Sequence, residues 1–307
     1  MPERFNCGPS DPGPNMIGTG EALAIISAII WGIAMLMYRV ALRELSPLEL
    51  TFVRSVSAMI FLALAALVFK STPFGGLDTA DILLLVASGI LLFVGDILYF
   101  GSVSTIGIWI ATPLSSVYPL FVAGIAYLFL GESFTGLQLA GIIVIVLGIV
   151  VLTMRSPPGE GEEYGNFTFN SLMALGAAFL WATSLVALRF VLIEDGLFVA
   201  TSSRSTIIVV ILIAVLGTSG RLRGLRRRKL SRNVKYLAIL SGAWGIGLGG
   251  LLFFHSMEFI GTARATAISA TNPLFGGFLG TILLGEKITI QKVAGAVLVV
   301  TGLMLMP

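Results

Sequence analysis

The chain has 307 residues, of which 56% are hydrophobic and only 11% are charged. Soluble domains carry about 25% charged residues, so this chain lacks the polar surface to cover a water-soluble particle of its size. The composition excludes a soluble globular enzyme, a disordered chain and a nucleic-acid binder. Because the apolar residues form long continuous runs, it indicates a polytopic helical membrane protein.

Residues 1–19 form a tail that is rich in proline and glycine and carries charges of both signs. The tail lacks the basic region followed by an apolar region that a cleaved signal peptide needs, which predicts a flexible extension and an uncleaved first span. Cys7 is the only cysteine and His255 the only histidine. One cysteine excludes an intrachain disulfide. Without clustered sulfur or imidazole ligands, we expect no transition-metal centre and no cofactor.

Ten apolar stretches follow the tail, and each approaches the length of about 20 residues that a transmembrane helix needs. Short turns with helix stop signals separate the stretches, and a hydrophilic linker lies at 156–169. The sequence therefore predicts an all-α membrane protein with ten transmembrane helices. The predicted spans are 21–41, 47–69, 81–101, 106–130, 136–154, 170–190, 196–217, 236–256, 263–284 and 289–306.

The second five spans repeat the first five. Trp31, Arg39 and Arg54 recur 150 residues later as Trp181, Arg189 and Arg204, and after an effective insertion of four residues the offset becomes 154. At that offset Gly131-Glu132 matches Gly285-Glu286, and Pro119 matches Pro273. The duplication predicts one repeat at 20–155 and a second at 170–306. Because five is odd, the second repeat must be inverted, which is typical of secondary transporters; the alternative is a scaffold of two packed copies.

The repeated motifs also resemble a known family. The motifs are IIWGIAMLMYRVAL with FVRS and GIWIATPLSSVYPLF in the first half, and FLWATSLVALRFVL with SSRS and GTARATAISATNPLF in the second. They are similar to the drug/metabolite transporter (DMT) superfamily, specifically its ten-span members with two EamA domains. The resemblance implies a proton- or gradient-driven carrier, often an exporter, of small metabolites. It also implies a central cavity between spans 1, 3, 4, 6, 8 and 9.

The basic residues bear on the orientation in the cell membrane. The termini and even-numbered turns share one side, here named side A, and the turns after odd spans lie on side B. Of the 19 Lys and Arg residues, 14 lie at side B and 5 at side A. The positive-inside rule then places side B in the cytoplasm and both termini outside, whereas the resemblance implies the reverse. The basic loop at 221–235 predicts contact with anionic lipid rather than with nucleic acid.

Asp96 is an ionisable residue within the third span, and its counterpart in the second repeat is Gly250. An ionisable side chain inside a span is unfavourable unless it faces a cavity or a partner. Asp96 is therefore predicted to carry a coupling proton or to pair with a substrate amine. The alternative is a structural carboxylate bound by an arginine such as Arg54 or Arg264.

Spans four and nine are interrupted by prolines at matching positions, a pattern that marks binding sites in inverted-repeat transporters. Hydroxyl and amide residues lie beside these prolines, although small polar residues also serve as packing contacts between helices. Aromatic residues near mid-span add a candidate stacking wall, the alternative being an interfacial belt. The predicted substrate-binding residues are Trp31, Tyr99, Ser115, Ser116, Tyr118, Trp181, Ser269, Thr271 and Asn272, with Trp109 and Thr112 as further candidates.

The sequence thus predicts a proton-coupled secondary active transporter that moves a small metabolite or amino-acid-like solute by alternating access. It leaves the oligomeric state open between a monomer and a homodimer. Two other functions stay open. A membrane-embedded enzyme acting on a lipid-linked substrate would need a catalytic dyad or metal cluster, and no such pattern is found. A passive channel would need a continuous polar pore, whereas the polar residues here cluster near mid-span.

Overall fold

The computed structural model describes residues 18–305 except 73, 107–110, 112–113, 154–166, 219–224, 226–228 and 285–289. All regular elements in these residues are helical, and one helix contains a π-helical segment at Gly242–Gly249. The helices are α1 (Thr19–Ala41), α2 (Pro47–Val68), α3 (Thr79–Ile106), α4 (Tyr118–Phe129), α5 (Gly136–Thr153), α6 (Phe167–Asp195), α7 (Leu197–Thr218), α8 (Arg232–Ile260), α9a (Thr262–Ser269), α9b (Asn272–Leu284) and α10 (Ile290–Met304).

The helix lengths agree with a multi-pass membrane protein. In the described residues, α1, α2, α3, α6, α7 and α8 contain apolar stretches of 20 to 29 residues, long enough to cross a bilayer. Shorter apolar helices lie in α4, α5 and α10. On α2, Ile60, Leu64 and Leu67 follow one helix face and are each more than half exposed. Soluble proteins rarely expose such apolar rows, which are typical of the lipid-facing sides of membrane helices.

Local sequence signals set the helix ends. α2 begins with a capping box, in which the Ser46 hydroxyl accepts from the Glu49 backbone N–H and the Glu49 carboxylate accepts from the Ser46 N–H. Pro47 occupies the first helical position, where a backbone N–H is not needed. Gly196 separates α6 from α7 with a φ of 85°, a conformation that favours glycine. The predicted turns at these two points are therefore present.

The two halves of the chain pack as pseudo-twofold copies. α3 packs along α6, and in the same way its counterpart α8 packs along α1, the counterpart of α6. α4 likewise contacts α6, and its counterparts α9a and α9b contact α1. α2 packs on its own counterpart α7, and α5 on α10. Each contact is thus matched when the halves are exchanged. The structure has the predicted architecture of two inverted five-helix repeats.

The contact between α5 and α10 shows this exchange at single residues. A Cβ added at Gly148 would lie 2.7 Å from the backbone nitrogen of Val299. A Cβ added at Gly302 would lie 2.8 Å from the backbone nitrogen of Ile145. Gly302 is the counterpart of Gly148 and Val299 is the counterpart of Ile145, each 154 residues later, so the two contacts are equivalent. Glycine lets the two backbones touch, which is a main source of helix association in lipid.

Spans four and nine are broken at equivalent points. A turn at 116–117 precedes α4, and a turn at 270–271 separates α9a from α9b. The second residue of the helix that follows is Pro119 in one case and Pro273 in the other. A proline is accommodated in the first helical turn because its missing N–H would have no partner there. The breaks lie 154 residues apart, as the repeat requires.

Candidate functional site

Asp96 of α3 lies at the interface between the repeats and has partners from both. Its Oδ1 accepts a hydrogen bond from Trp181 Nε1 of α6 at 3.1 Å, and its Oδ2 pairs with Arg54 Nη2 of α2 at 3.4 Å. The side chains of Asp96 and Arg54 are 15% and 19% exposed. Arg264, the other arginine considered as a partner, pairs instead with Glu21 at 2.8 Å.

A second arginine, Arg204 of α7, is 7% exposed and lies close enough to Asp96 to interact electrostatically. Its Nη2 donates to Ser184 Oγ at 2.8 Å. The hydroxyls of Ser184 and Ser88 each donate to the other's backbone carbonyl at 2.7 Å, which fixes α3 against α6. Asp96, Arg54, Arg204 and Trp181 are named the Asp96 cluster below.

The Asp96 cluster contains more positive than negative charge. One carboxylate faces two guanidinium groups, so the formal net charge is positive when all three are ionised. The Nε atoms of Arg54 and Arg204 are buried and have no hydrogen-bond partner among the described residues. A buried donor without a partner costs about 1–3 kcal/mol. The cluster therefore has donors and positive charge available for a further acceptor.

A small cavity of about 50 Å³ adjoins the Asp96 cluster. A space of this size holds only a few water molecules. The cavity lies between α2, α3, α7 and α8. Of these four helices, only α3 and α8 are among the six spans that the resemblance implies as the lining of a central cavity. Thr51, Ser55 and Ser205 line the small cavity and were not predicted, although the repeated Arg-Ser pairs of FVRS and SSRS pointed to two of them. The full polar lining is Thr51, Arg54, Ser55, Asp96 and Ser205.

Trp181, Tyr99 and Tyr118 form one aromatic group beside Asp96. The ring centroid of Trp181 lies 5.3 Å from that of Tyr99 and 6.4 Å from that of Tyr118. Trp181 packs on Gly95, where an added Cβ would lie 2.8 Å from the indole. Glycine at this position therefore lets the indole reach the carboxylate. The structure thus brings four of the predicted site residues together: Asp96, Tyr99, Tyr118 and Trp181.

Trp31 occupies the equivalent position in the other half of the molecule. It packs on Gly249, the counterpart of Gly95, where an added Cβ would lie 2.8 Å from Trp31 Nε1. This Nε1 donates to the backbone carbonyl of Gly245 at 2.8 Å, within the π-helical segment of α8. The two tryptophans have the same packing, but only Trp181 donates to an ionisable side chain. Trp31 is thus separate from the Asp96 cluster.

The paired tryptophans give a matched test of the Trp181–Asp96 contact. Trp181→Phe keeps a ring against Gly95 but removes a donor to a carboxylate, and we expect it to lower the free energy of unfolding by about 2 kcal/mol. Trp31→Phe removes a donor to a neutral carbonyl and should lower it by about 1 kcal/mol. Unfolding in mixed micelles with a denaturing detergent measures both. If Trp31→Phe lowers the free energy of unfolding by as much as Trp181→Phe or by more, Trp181 does not donate to an ionised Asp96 carboxylate.

The remaining predicted residues lie at the two helix breaks. Ser115 and Ser116 precede α4, and Ser115 is buried. At the other break, side chains donate to backbone carbonyls of α1 or α9a at 2.7 to 3.3 Å: Ser269 to Ala24, Thr271 to Ile268 and Asn272 to Ser269. The bond from Ser269 joins the break to α1, and the other two stabilise the end of α9a. Contact of these residues with a solute stays a prediction. Trp109 and Thr112 lie outside the described residues, as do the tail before residue 18 and residues 221–224 and 226–228 of the basic loop.

A second set of contacts joins the repeats at side A. Glu132, which follows α4, accepts from the backbone nitrogens of Thr262 and Ala263 at 2.5 and 3.1 Å. A carboxylate at the N-terminus of α9a is stabilised by the helix dipole. The pair of Arg264 with Glu21 joins the same helix turn to α1. These contacts hold the side-A ends of α1 and α9a and the residues after α4 together.

Two inverted five-helix halves with a buried cluster of ionisable side chains between them define a membrane transporter of the inverted-repeat class. The chain belongs to the EamA-like transporter family, whose model matches residues 18–154 and 168–306. The family predicted from the repeated motifs is thus confirmed. Membership also implies a small-molecule substrate and a lipid environment.

Relatives with similar sequences are named as transporters. The chain is 27% identical over 286 residues to an "Uncharacterized transporter" of Archaeoglobus fulgidus, covering 92% of this chain and 96% of that protein. It is 24% identical over 292 residues to a "Probable amino-acid metabolite efflux pump" of Salmonella typhimurium, covering 92% of each. A protein of known crystal structure shares the fold, with a TM-score of 0.71 over 94% of this chain and 98% of that one, at 16% identity.

Proposed function

We propose that this transporter is a proton-coupled secondary carrier that moves a small solute by alternating access, with Asp96 as the proton-binding residue. The observation that carries the proposal is the position of Asp96. Its carboxylate pairs with Arg54 of the first repeat and accepts from Trp181 of the second. A group held by both repeats changes its surroundings when one repeat rocks against the other, so its protonation is linked to that movement.

The contacts at side A support alternating access. Glu132 and the Arg264–Glu21 pair join the two repeats at that end, and the cavity beside Asp96 is too small for a metabolite. Loading a solute therefore requires a wider conformation, in which one of these inter-repeat contacts opens. The broken helices at 116–117 and 270–271 supply points where the backbone can bend.

The predicted substrate-binding residues are retained in the proposal, with an amino-acid-like solute as the first class to test. The aromatic group of Tyr99, Tyr118 and Trp181 supports this choice because it offers apolar ring surface beside charged groups. The relative named as an amino-acid metabolite efflux pump also supports it.

The charge distribution supports a cell-membrane location with side B in the cytoplasm. The basic loop at 221–235 then meets anionic lipid. In the described part of this region, Arg232 lies 5.5 Å from the ring centroid of the exposed Tyr236. An aromatic ring with a basic neighbour is common at a membrane interface.

Transport by purified protein in liposomes tests the function. We expect saturable uptake of a radiolabelled amino-acid-like solute, tested with phenylalanine and with its deaminated analogue phenylacetate, that an imposed pH gradient accelerates. Asp96→Asn should lose this acceleration while still exchanging labelled for unlabelled solute, because exchange needs no net proton movement. The control is Glu258→Gln, which removes a carboxylate from an exposed pair with His255. Acceleration that survives in Asp96→Asn would exclude Asp96 as the proton site, and flux that never saturates would favour a channel.

A further inference from the structure

The charges of the Asp96 cluster restrict the solutes that the proposed carrier can bind. Arg54 and Arg204 lie on α2 and α7, and within the described residues Asp96 is the carboxylate that faces them. α6 contributes the neutral Trp181, and α8 contributes the apolar Ile246 to the adjoining cavity. The remaining titratable groups near the cluster in the described residues are the phenols of Tyr38, whose ring lies against Arg54, and of Tyr99 and Tyr118 beside Trp181.

A solute amine finds no free partner in this arrangement. An ammonium group needs a carboxylate, and Asp96 already pairs with Arg54 and interacts electrostatically with Arg204. Placing a third positive charge among them in a low-dielectric site is unfavourable. A solute carboxylate, in contrast, meets excess positive charge and the unpartnered Nε of Arg54. Arginine is well suited to it because its planar donors match the geometry of a carboxylate.

Asp96 and a solute carboxylate would compete for the same guanidinium. Arg54 reaches Asp96 through Nη2 at 3.4 Å, a long contact for a charge-assisted hydrogen bond. Arg204, by comparison, is held by Ser184 at 2.8 Å within the α3–α6 packing. Arg54 is thus the arginine that can exchange partners. Protonation of Asp96 removes the competing charge and leaves Arg54 to the solute.

We propose that the solute is a monocarboxylate anion, without an ammonium group, that replaces Asp96 as the partner of Arg54. This inference rests on the proposed carrier function and narrows its substrate class. Because anion and proton each favour the binding of the other, they are carried together in the same direction. The coupling is therefore symport, and an exchange of solute against protons is disfavoured.

Four probes that share a phenyl ring but differ in charge test whether the site prefers an anion, a neutral molecule, a zwitterion or a cation. They are phenylacetate as the anion, phenylacetamide as the neutral isostere, phenylalanine as the zwitterion and phenethylamine as the cation. Isothermal titration calorimetry on the purified protein in detergent should show phenylacetate binding at least about tenfold more tightly than the other three. Titration in buffers of different ionisation enthalpy should show proton uptake when phenylacetate binds.

The pH dependence tests the competition. Between about pH 8 and about pH 6 phenylacetate stays ionised, yet its affinity should rise on acidification. His255 is the only histidine in the chain, so His255→Gln controls for the side chain that ordinarily titrates in this range. This variant should keep the pH dependence of the wild type.

Two substitutions give opposite results if the proposal is right. Asp96→Asn removes the competitor and should bind phenylacetate about tenfold more tightly, with no dependence on pH and no proton uptake. Arg54→Gln should lose about tenfold or more, and Arg54→Lys should recover part of the loss because it restores the charge. Should Asp96→Asn fail to fold, the wild-type pH series and proton uptake decide the matter.

The outcomes distinguish this inference from the function on which it rests. Tightest binding of phenylalanine or phenethylamine, or phenylacetate affinity that is constant or falls on acidification, would overturn the inference. If phenylalanine then shows saturable flux in liposomes, the proposed carrier function is still supported. If phenylacetate binds with proton uptake but no probe shows flux, the carrier function is contradicted and the anion site is supported.

Discussion

Gly242→Ala is expected to lower the free energy of unfolding by about 3 kcal/mol, at the upper end of the usual cost of overpacking. Gly242 begins the π-helical segment of α8. A Cβ there would overlap the backbone carbonyl of Arg54 and lie 2.7 Å from its Cα. Backbone atoms cannot rotate away as a side chain can, so α2 and α8 must separate. The separation would also move Arg54 relative to Asp96.

The chain offers matched controls for this substitution. Gly124 of α4 and Gly217 of α7 are helical glycines, and an added Cβ would meet nothing within 4 Å at either position. Alanine there should leave stability unchanged or raise it by up to about 1 kcal/mol, because glycine is unfavourable inside a helix. Thermal unfolding in detergent, followed by size-exclusion fluorescence, compares the three variants. A Gly242→Ala protein as stable as the controls would rule out the close contact between α2 and α8.

Much of the fold could be predicted because membrane insertion leaves a strong pattern in the sequence. Long apolar runs predicted the spans, and pairs such as Trp31 and Trp181 predicted the repeat that the helix packing shows. The π-helical segment at Gly242–Gly249 could not be predicted in this way. Its sequence, GAWGIGLG, is as apolar as an ordinary span, and hydropathy does not record which carbonyl each N–H reaches. Only the structure shows the Gly245 carbonyl accepting from Trp31.

The candidate site could be predicted in part. Asp96 stood out because a carboxylate in an apolar span needs a partner, and Arg54 was one of two arginines considered for that role. The role of Arg204 could not be predicted, since it depends on how α7 packs against α3. The contact of Ser88 with Ser184 was missed because serines are common between membrane helices and these two are 96 residues apart in the chain. The cavity likewise follows from packing, which periodicity does not specify.

Asp96→Asn is expected to destabilise the protein more than Arg54→Gln, although both substitutions break the same ion pair. Asp96→Asn leaves Arg54 and Arg204 without a counter-charge, and removing one partner of a buried pair typically costs about 3 kcal/mol. Arg54→Gln leaves Asp96 with the charge of Arg204 and the hydrogen bond from Trp181, so about 1–2 kcal/mol is expected. The double variant should lose less free energy of unfolding than the two single variants together. Each single substitution leaves a charge without its partner, and the other substitution removes that charge.

Unfolding free energies in mixed micelles test this order, with Glu258→Gln as the control. That substitution breaks an exposed pair with His255, which is worth no more than about 1 kcal/mol. A larger loss in Arg54→Gln than in Asp96→Asn would mean that Arg204 does not share the charge of Asp96. The expected order has a further consequence for binding. The unbalanced positive charge that destabilises Asp96→Asn is also what attracts a carboxylate, so phenylacetate should raise the thermal stability of Asp96→Asn more than that of the wild type.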